Sequence, residues 1–200
     1  MSRKNMVVLS GLVLALVLAA FGMSHRQNKT QGSGLALIGG PFELVDHKGH
    51  KVTDKSYRGK FMLIYFGFTY CPDVCPTELQ NIAVALDAIG TERRKHLAPL
   101  FVTIDPERDT RELMASYVDN FHPDLIGLTG TPAQIKKIAK AYRVYYKKVK
   151  EKGQPDGYTM DHSSIIYLMD DQGRYVRHFS YGTSGDKIAK GLMEAIDKRF

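Results

Sequence analysis

Tryptophan is absent from this 200-residue chain, and cysteine occurs only twice, as Cys71 and Cys75. Two cysteines exclude a small domain stapled by several disulfides. There is also no dense stripe of lysine and arginine with interleaved aromatic residues, so nucleic acid is not an expected partner. Because the two cysteines lie only four positions apart, we predict that they carry chemistry.

The chain also lacks a strong excess of one charge outside its N-terminal region. The formal net charge is +7, but Arg3, Lys4, Arg26 and Lys29 flank an apolar segment, which leaves a modest positive charge on the remainder. With 44% hydrophobic residues, a chain of this length can bury one substantial core once a membrane segment is set aside. One globular domain is therefore predicted.

The longest apolar segment runs from Met6 to Met23 and is long enough to span a hydrocarbon core as a helix. Basic residues stand just before it, and the positive-inside rule then leaves residues 1–5 in the cytoplasm and carries all later residues across the membrane. A signal peptide cleaved near Ala20 is the alternative. The apolar run exceeds the usual core of a signal peptide, which favours an uncleaved anchor.

These features predict four regions along the chain. They are a cytoplasmic tail over residues 1–5, a transmembrane anchor over 6–23, a tether over 24–40 and a folded domain over 41–200. The tether is rich in Gln, Asn, Ser and Gly, a composition typical of flexible linkers. The expected location is the bacterial inner membrane, with a single span and the domain on the periplasmic side.

Apolar patterns predict the order of elements in the domain. A hairpin over Phe42–Val45 and Lys51–Thr53 surrounds a turn that contains glycine. The continuous apolar run Phe61–Phe66 is typical of a strand buried on both faces, and a helix is predicted to begin at Cys75. The later predicted elements are a strand over Leu100–Ile104, a helix over about Thr110–Phe121, a strand over Leu125–Leu128, a helix from Thr131 through Ala139, an extended segment over Val144–Val149, a hairpin of Ile165–Leu168 and Tyr175–Phe179, and a closing helix from Asp186 to about Lys198.

Two strand-helix repeats followed by a hairpin and a closing helix predict an α/β, thioredoxin-like fold. This chain adds an N-terminal β-hairpin and an inserted helix, and one transmembrane helix precedes the domain. In such sheets, binding sites form at the carboxyl ends of the strands. We therefore expect Cys71, Cys75, the segment Asp105–Asp109 and the turn carrying Asp161 and His162 to share one surface.

The two cysteines lie in a loop that ends where a helix begins, so both sulfurs can face one point. The positive end of the helix dipole favours thiolate, which is the form that binds metal. Two thiolates and the imidazole of His162 would make a soft site suited to Cu(I). Cu(II) would accept the same set with a water or a carboxylate such as that of Asp161. Zinc also binds such sets, so these residues alone leave the metal open.

Three sequence blocks resemble the SCO/SenC family. They are CPDVCPTEL from Cys71, VTIDPERDT from Val102 and DHSSIIYL from Asp161, and the resemblance covers Phe42–Phe200. It implies a thioredoxin-fold domain on a single membrane anchor. It also implies that the protein binds copper and takes part in assembling the dinuclear copper centre of cytochrome c oxidase subunit II.

Matched position by position, the resemblance implies that the copper ligands are Cys71, Cys75 and His162. It favours copper, as Cu(I), Cu(II) or both, over zinc. The second block lies beside the metal loop, and its polar residues are expected to serve partner docking and loop positioning. These residues are Asp105, Arg108 and Asp109.

Two functions stay open on this interpretation. A metallochaperone would take copper from an upstream donor and pass it to oxidase subunit II by ligand exchange. A thiol-disulfide reductase would instead use Cys71 and Cys75 to reduce the cysteines of the target's copper site, and it would end as a Cys71–Cys75 disulfide. Redox thioredoxins have two residues between their cysteines and a cis-proline facing them, whereas this chain has three residues and His162-Ser163. Metal delivery is therefore the favoured function.

Other side chains are predicted to be structural. Met160 lies next to the proposed site on an extended segment, and its side chain is predicted to point the opposite way and to serve packing. Tyr65, Phe66, Phe68 and Tyr70 are predicted to form core and an apolar rim around the metal loop. The remaining histidines are expected on the solvated surface, namely His25, His47, His50, His96, His122 and His178.

Overall fold

The computed structural model of the protein describes residues 38–153 and 157–200. The predicted cytoplasmic tail, the predicted anchor over 6–23 and most of the predicted tether lie outside the described residues. Among the helices of the described part, none is both long and apolar enough to cross a membrane.

The domain contains nine strands and four α-helices within the described residues. The strands are β1 (Glu43–Asp46), β2 (Lys51–Thr53), β3 (Phe61–Gly67), β4 (Leu97–Thr103), β5 (Ile126–Thr129), β6 (Tyr146–Lys150), β7 (Tyr158–His162), β8 (Ile165–Met169) and β9 (Tyr175–Ser180). The helices are α1 (Val74–Arg94), α2 (Arg111–Asp119), α3 (Pro132–Ala141) and α4 (Gly185–Ile196). Seven strands form one sheet in the order β2-β1-β5-β4-β3-β8-β9, and β6 pairs with β7 in a second sheet.

The parallel strands β3 and β4 form the centre of the large sheet. Every residue of both strands is buried, as the continuous apolar run of β3 predicts. The two strands are in register from Phe61 opposite Leu97 to Gly67 opposite Thr103. Their carboxyl ends therefore lie side by side, and the loops that follow them meet at one edge of the sheet.

Side chains of β3 pack alternately on the two faces of the sheet. Tyr65 stacks on Phe101 with ring centroids 6.1 Å apart, whereas Phe66 contacts Tyr142 at 5.5 Å. All four rings are buried. The core thus has aromatic layers on both sides of β3, in agreement with the prediction that Tyr65 and Phe66 belong to the core.

The element order confirms the predicted α/β, thioredoxin-like fold, with β1 and β2 as the N-terminal hairpin and α3 as the inserted helix. The largest difference at the start of a strand is that β4 begins at Leu97 and not at Leu100. Pro99 interrupts the apolar pattern, but β5 joins only opposite Leu100. Since β4 has a strand on one side only at Pro99, the missing N–H of the proline is tolerated there.

The segment before β8 also differs from the prediction. It was expected to be a turn carrying Asp161 and His162, but both residues belong to β7, which pairs antiparallel with β6. His162 lies opposite Tyr146 in this register. The strand was missed because it is only five residues long and its pairing partner is a lysine-rich segment.

His122 corrects the prediction of a solvated histidine. It is 6% exposed, its Nδ1 accepts a hydrogen bond of 3.0 Å from the Asp124 amide, and its Nε2 lies 3.4 Å from the Asp87 carboxylate. These partners satisfy both ring nitrogens, which allows a polar side chain to be buried among polar sequence neighbours.

Gly67→Ala is expected to destabilise the domain, because a Cβ there would lie 2.7 Å from Cys75 Sγ and 2.9 Å from Phe101 Cε2. Overpacking of this kind lowers the free energy of unfolding by about 1–3 kcal/mol, which urea denaturation of the reduced protein measures. Val84→Ala, at a half-exposed helix position, is the control and should change it by no more than about 0.5 kcal/mol. An unchanged urea midpoint for Gly67→Ala would contradict close packing at this end of β3.

Candidate metal centre

The loop after β3 and the first turn of α1 bring the two cysteines together. Cys75 is buried in the first turn of the helix, and Cys71 is half-buried in the loop before it. The backbone N–H of Cys75 donates a hydrogen bond of 3.3 Å to Cys71 Sγ. The sulfur of Cys71 therefore faces the helix N-terminus, as the sequence predicts.

His162 completes the group from the end of β7. Its Nε2 lies 3.6 Å from Cys75 Sγ, and its Nδ1 lies 3.0 Å from the carbonyl oxygen of Ser163. A carbonyl only accepts, so Nδ1 donates to it, and Nε2 is the ring nitrogen that faces the sulfurs. The edge of the Phe68 ring packs against the imidazole, with centroids 5.8 Å apart and planes at 83°. The imidazole is thus held in the orientation of a metal ligand.

The three potential ligand atoms, the two sulfurs and one imidazole nitrogen, all lie within 4.8 Å of one another. Bonds from one ion to sulfur or nitrogen are roughly 2.0–2.3 Å long, so ligands on opposite sides of an ion can be separated by about 4.6 Å. The group therefore fits one metal ion with small side-chain movements. No second group of this kind occurs among residues 38–153 and 157–200.

The two thiols have opposite protonation behaviour. A hydrogen bond from the Cys75 thiol, helped by His162 and by the amides of Cys75 and Asp73, lowers the pKa of Cys71 to about 4. Donating this hydrogen bond, together with burial and the negative charge on Cys71, raises the pKa of Cys75 well above its ordinary value. At neutral pH the reduced pair thus holds one thiolate, on the more accessible sulfur, and one thiol.

Tyr65 and Ser164 support the buried cysteine. The Tyr65 hydroxyl lies 3.7 Å from Cys75 Sγ, to which it donates, and 3.2 Å from Ser164 Oγ. Burial and the neighbouring Cys75 raise the pKa of Tyr65, so the hydroxyl keeps its proton and remains a donor. Sequence patterns indicated Tyr65 only as core. Its polar contact depends on pairing between β3 and β8, which brings the start of β8 beside it.

Asp109 connects the metal loop to the loop after β4. Its carboxylate is fully buried and accepts hydrogen bonds from the Thr69 amide at 3.1 Å and from the hydroxyls of Thr69 and Thr103, both at 2.6 Å. Thr69 precedes Cys71 by two residues. Asp109 therefore holds the metal loop against the end of β4.

Asp105 and Arg108 connect the same region to β7. Their side chains form a buried ion pair of 2.6 Å, and Arg108 Nη1 donates a hydrogen bond of 3.0 Å to the carbonyl of Tyr158. The guanidinium lies 3.7 Å from the centre of the Tyr158 ring, whose hydroxyl donates to Asp105 at 3.1 Å. Tyr158 begins the strand that ends at His162. The predicted docking role of Asp105, Arg108 and Asp109 stays a prediction, since the contacts of these buried groups are internal.

The ligand group opens into a cleft of about 310 Å³. Met160 is buried and lines this cleft on the same side as His162 without joining the three ligands, so the prediction that it points away from the site is wrong. Asp161, considered as a carboxylate ligand, is exposed and pairs in register with Lys147, so it also lies outside the ligand group. Successive side chains of β7 point to opposite faces, which explains why Met160 is buried and Asp161 is exposed.

Two residues of the cleft region had no signal as site residues in the sequence. Tyr181 lines the cleft from the turn after β9 and is 57% exposed. Glu78 is fully buried on α1, and its Oε1 accepts a hydrogen bond of 2.9 Å from the Gly182 amide, next to Tyr181. The one sequence signal for Glu78 is its helical spacing. It follows Cys75 by three residues, on a face that also carries Leu79 and Ile82.

Alkylation by iodoacetamide is expected to select Cys71, because thiolate is the reactive form. For the reduced, metal-free protein, the rate of Cys71 alkylation should rise with pH around a midpoint of about 4. Cys75 should stay unmodified at pH 7, since burial and its raised pKa keep it a thiol. Peptide mass spectrometry gives the rate and the position. Equal modification of both residues with midpoints near about 8.5, the value of a free cysteine, would contradict the asymmetry.

Asp109→Asn is expected to lower the free energy of unfolding by about 1–3 kcal/mol. The Thr103 hydroxyl already accepts a hydrogen bond from the backbone N–H of Asp105. The hydroxyl's own proton would therefore lose its acceptor if the side-chain nitrogen of the introduced asparagine faced it. Urea denaturation of the reduced protein measures the change. Asp119→Asn, at the exposed end of α2, is the matched control, and equal effects of the two variants would argue against a central role for Asp109.

Comparison with known proteins identifies relatives of this domain. The human mitochondrial SCO1 homolog is 45% identical over 160 residues, which cover 80% of this chain and 53% of that protein. The Arabidopsis thaliana mitochondrial SCO1 homolog 1 is 43% identical over 164 residues, covering 82% and 48%. This chain thus spans about half the length of these two relatives.

Solved structures agree with the fold. ScoI of Arabidopsis thaliana, solved with copper bound, has a TM-score of 0.74 at 42% identity and covers 80% of this chain and 99% of its own. ScoI of Bradyrhizobium japonicum, also with copper bound, has a TM-score of 0.73 at 47% identity and covers 79% and 99%. The SCO1/SenC family matches residues 30–197. This chain therefore belongs to the SCO1/SenC family.

Proposed function

We propose that this chain is a copper metallochaperone that binds one copper ion through Cys71, Cys75 and His162 and assists assembly of the dinuclear copper centre of cytochrome c oxidase subunit II. The observation that carries the proposal is the convergence of two sulfurs and one imidazole nitrogen within 4.8 Å. Two relatives of known structure that share the fold have been solved with copper bound.

The donor set suits copper. Thiolate sulfur and imidazole nitrogen are soft or intermediate ligands, and three of them make the low coordination number that Cu(I) accepts. Cu(II) would use the same three ligands and add a water. Because copper displaces protons from thiols, the high pKa of Cys75 makes its proton the one released on binding. Copper affinity should therefore rise with pH above neutrality.

The asymmetry of the two cysteines supports delivery by ligand exchange. Cys71 is half-buried and lines the open cleft, whereas Cys75 is enclosed by the core and by the Tyr65 hydroxyl. A partner's ligand can reach the ion from the Cys71 side, while Cys75 and His162 still hold it. In this proposal an upstream donor loads the site, and oxidase subunit II receives the ion by the same exchange.

The proposal places the domain on the periplasmic side of the bacterial inner membrane, held by a single span over residues 6–23. What supports this location is the apolar sequence of that segment and the basic residues before it. A tether between anchor and domain would let the metal centre reach a membrane-bound oxidase.

Thiol-disulfide reduction is the second candidate, and the low pKa of Cys71, about 4, favours it. The Cys71 thiolate would attack one sulfur of a target disulfide, breaking that S–S bond, forming a mixed disulfide and releasing the other sulfur as a thiolate, which can take the proton of Cys75. Cys75 would then lose its proton and attack Cys71 Sγ, which releases the target's thiolate and leaves a Cys71–Cys75 disulfide. The chain itself supplies the two electrons.

His162→Ala separates the two functions. In the full-length reduced chain loaded anaerobically, the parent should hold one copper with a thiolate-to-Cu(II) charge-transfer band. The variant should bind Cu(II) at least about hundredfold more weakly, since loss of a mere supporting hydrogen bond at a metal site already weakens binding by about 10–100-fold. Reduction of a disulfide substrate should be largely retained. Metal analysis and absorption spectra measure binding.

The control is His178→Ala, which removes an exposed histidine on β9 and should leave copper content and spectrum unchanged. If His162→Ala held Cu(II) as tightly as the parent, His162 would not be a ligand. If the parent bound copper only weakly while reducing disulfides, the reductase would replace the metallochaperone.

A further inference from the structure

A second cleft, of about 560 Å³, lies at the end of the sheet opposite the metal centre. Its origin is a difference in strand length. β4 begins at Leu97, but β5 joins it only where Leu100 lies opposite Ile126. The first three residues of β4 therefore have no strand beside them on that side, and they line the cleft.

Hydrogen-bond donors line this cleft. The Tyr57 side chain is nine-tenths buried, and its hydroxyl makes no hydrogen bond to any residue that the structure describes. Burial and the nearby Asp46 carboxylate raise the pKa of Tyr57, so the hydroxyl keeps its proton. His47 Nδ1 accepts a hydrogen bond of 3.0 Å from the Gly127 amide, which leaves Nε2 as the N–H donor of the neutral ring. Both groups can donate to a ligand, and neither has an acceptor among residues 38–153 and 157–200.

Two carboxylates near these donors have partners of their own: Asp124, which lines the cleft, is paired with Arg94, and Asp46 lies outside the lining. The Asp46 carboxylate accepts hydrogen bonds from the amides of Lys48 and His50 and from the His50 ring, at 2.8–3.0 Å. None of these hydrogen bonds comes from the Tyr57 hydroxyl.

The cations of the cleft fall into two kinds. Arg94 and Lys95 are engaged, with Arg94 Nε 3.0 Å from the Asp124 carboxylate and Lys95 Nζ 2.7 Å from Glu92. Lys48 and Lys60 also line the cleft, and neither forms an ion pair within the described part of the chain. Two lysine charges are thus available beside two unused donors.

We propose that this cleft binds a phosphate group, either on an anionic lipid headgroup or on a small soluble molecule. A tetrahedral anion accepts hydrogen bonds from several directions, and lysines bind phosphate as point charges. The Tyr57 hydroxyl and the His47 Nε2–H meet the phosphate oxygens, while Lys48 and Lys60 balance its charge. The open side of the cleft admits the rest of the ligand. This inference is independent of the proposed copper function, because it shares no residue with the metal centre.

The full-length chain in an uncharged detergent tests the proposal by calorimetric titration. The probes are inorganic phosphate, glycerol 3-phosphate and dihexanoyl phosphatidylglycerol below its micellar concentration. Saturable binding of phosphate is expected. Tyr57→Phe should weaken it about tenfold, and the double variant Lys48→Gln/Lys60→Gln by more, since a hydrogen bond or ion pair to a charged ligand is worth tenfold or more. Tighter binding of the lipid than of glycerol 3-phosphate identifies a lipid source, and the reverse order identifies a soluble one.

The matched control is Lys187→Gln/Lys190→Gln, which removes two exposed charges from α4 and should leave phosphate binding unchanged. Circular dichroism and copper content should match the parent in every variant, which separates loss of the cleft from loss of the fold. Absence of saturable phosphate binding to the parent, or equal weakening by the α4 control and the cleft variant, would overturn the proposal.

Discussion

The buried carboxylate of Asp109 is the contact on which the metal centre most depends. Parallel pairing brings the ends of β3 and β4 to one edge of the sheet, and Asp109 then joins the two loops through Thr69 and Thr103. The Asp105–Arg108 ion pair extends the same support to β7 and hence to His162. Ligands that are far apart in sequence are therefore positioned by one short segment, which contributes geometry while the ligands contribute chemistry.

A second constraint is the unequal setting of the two sulfurs. The site holds one thiolate that partners can reach and one thiol that the core encloses. This inequality suits an ion that must be held and then released, because one bond can be replaced while the other persists. The same inequality suits disulfide exchange, so the thiols alone do not separate the two functions. His162 separates the two functions, because a bound metal needs the imidazole as a ligand and a mixed disulfide does not.

Much of this arrangement could be predicted from the sequence, for physical reasons. The apolar run of β3, the cysteines at a helix start and the rule that sites lie at carboxyl ends of strands together predict where Cys71 and Cys75 meet. The strand β7 could not be predicted, because its pairing with β6 is a tertiary contact between two short segments. The internal contacts of Asp109 and the burial of Glu78 likewise depend on distant loops. Local patterns report periodicity, whereas these contacts exist only in the folded chain.

X-ray absorption at the copper edge of the loaded full-length chain tests the central claim most directly, because it reports the atoms bound to the ion. The account predicts two sulfur ligands and one imidazole nitrogen in the parent, with the nitrogen replaced by a water or lost when His162 is alanine. A parent spectrum with a single sulfur, or with the same imidazole contribution after His162→Ala, would contradict the assignment of Cys71, Cys75 and His162 as the copper ligands.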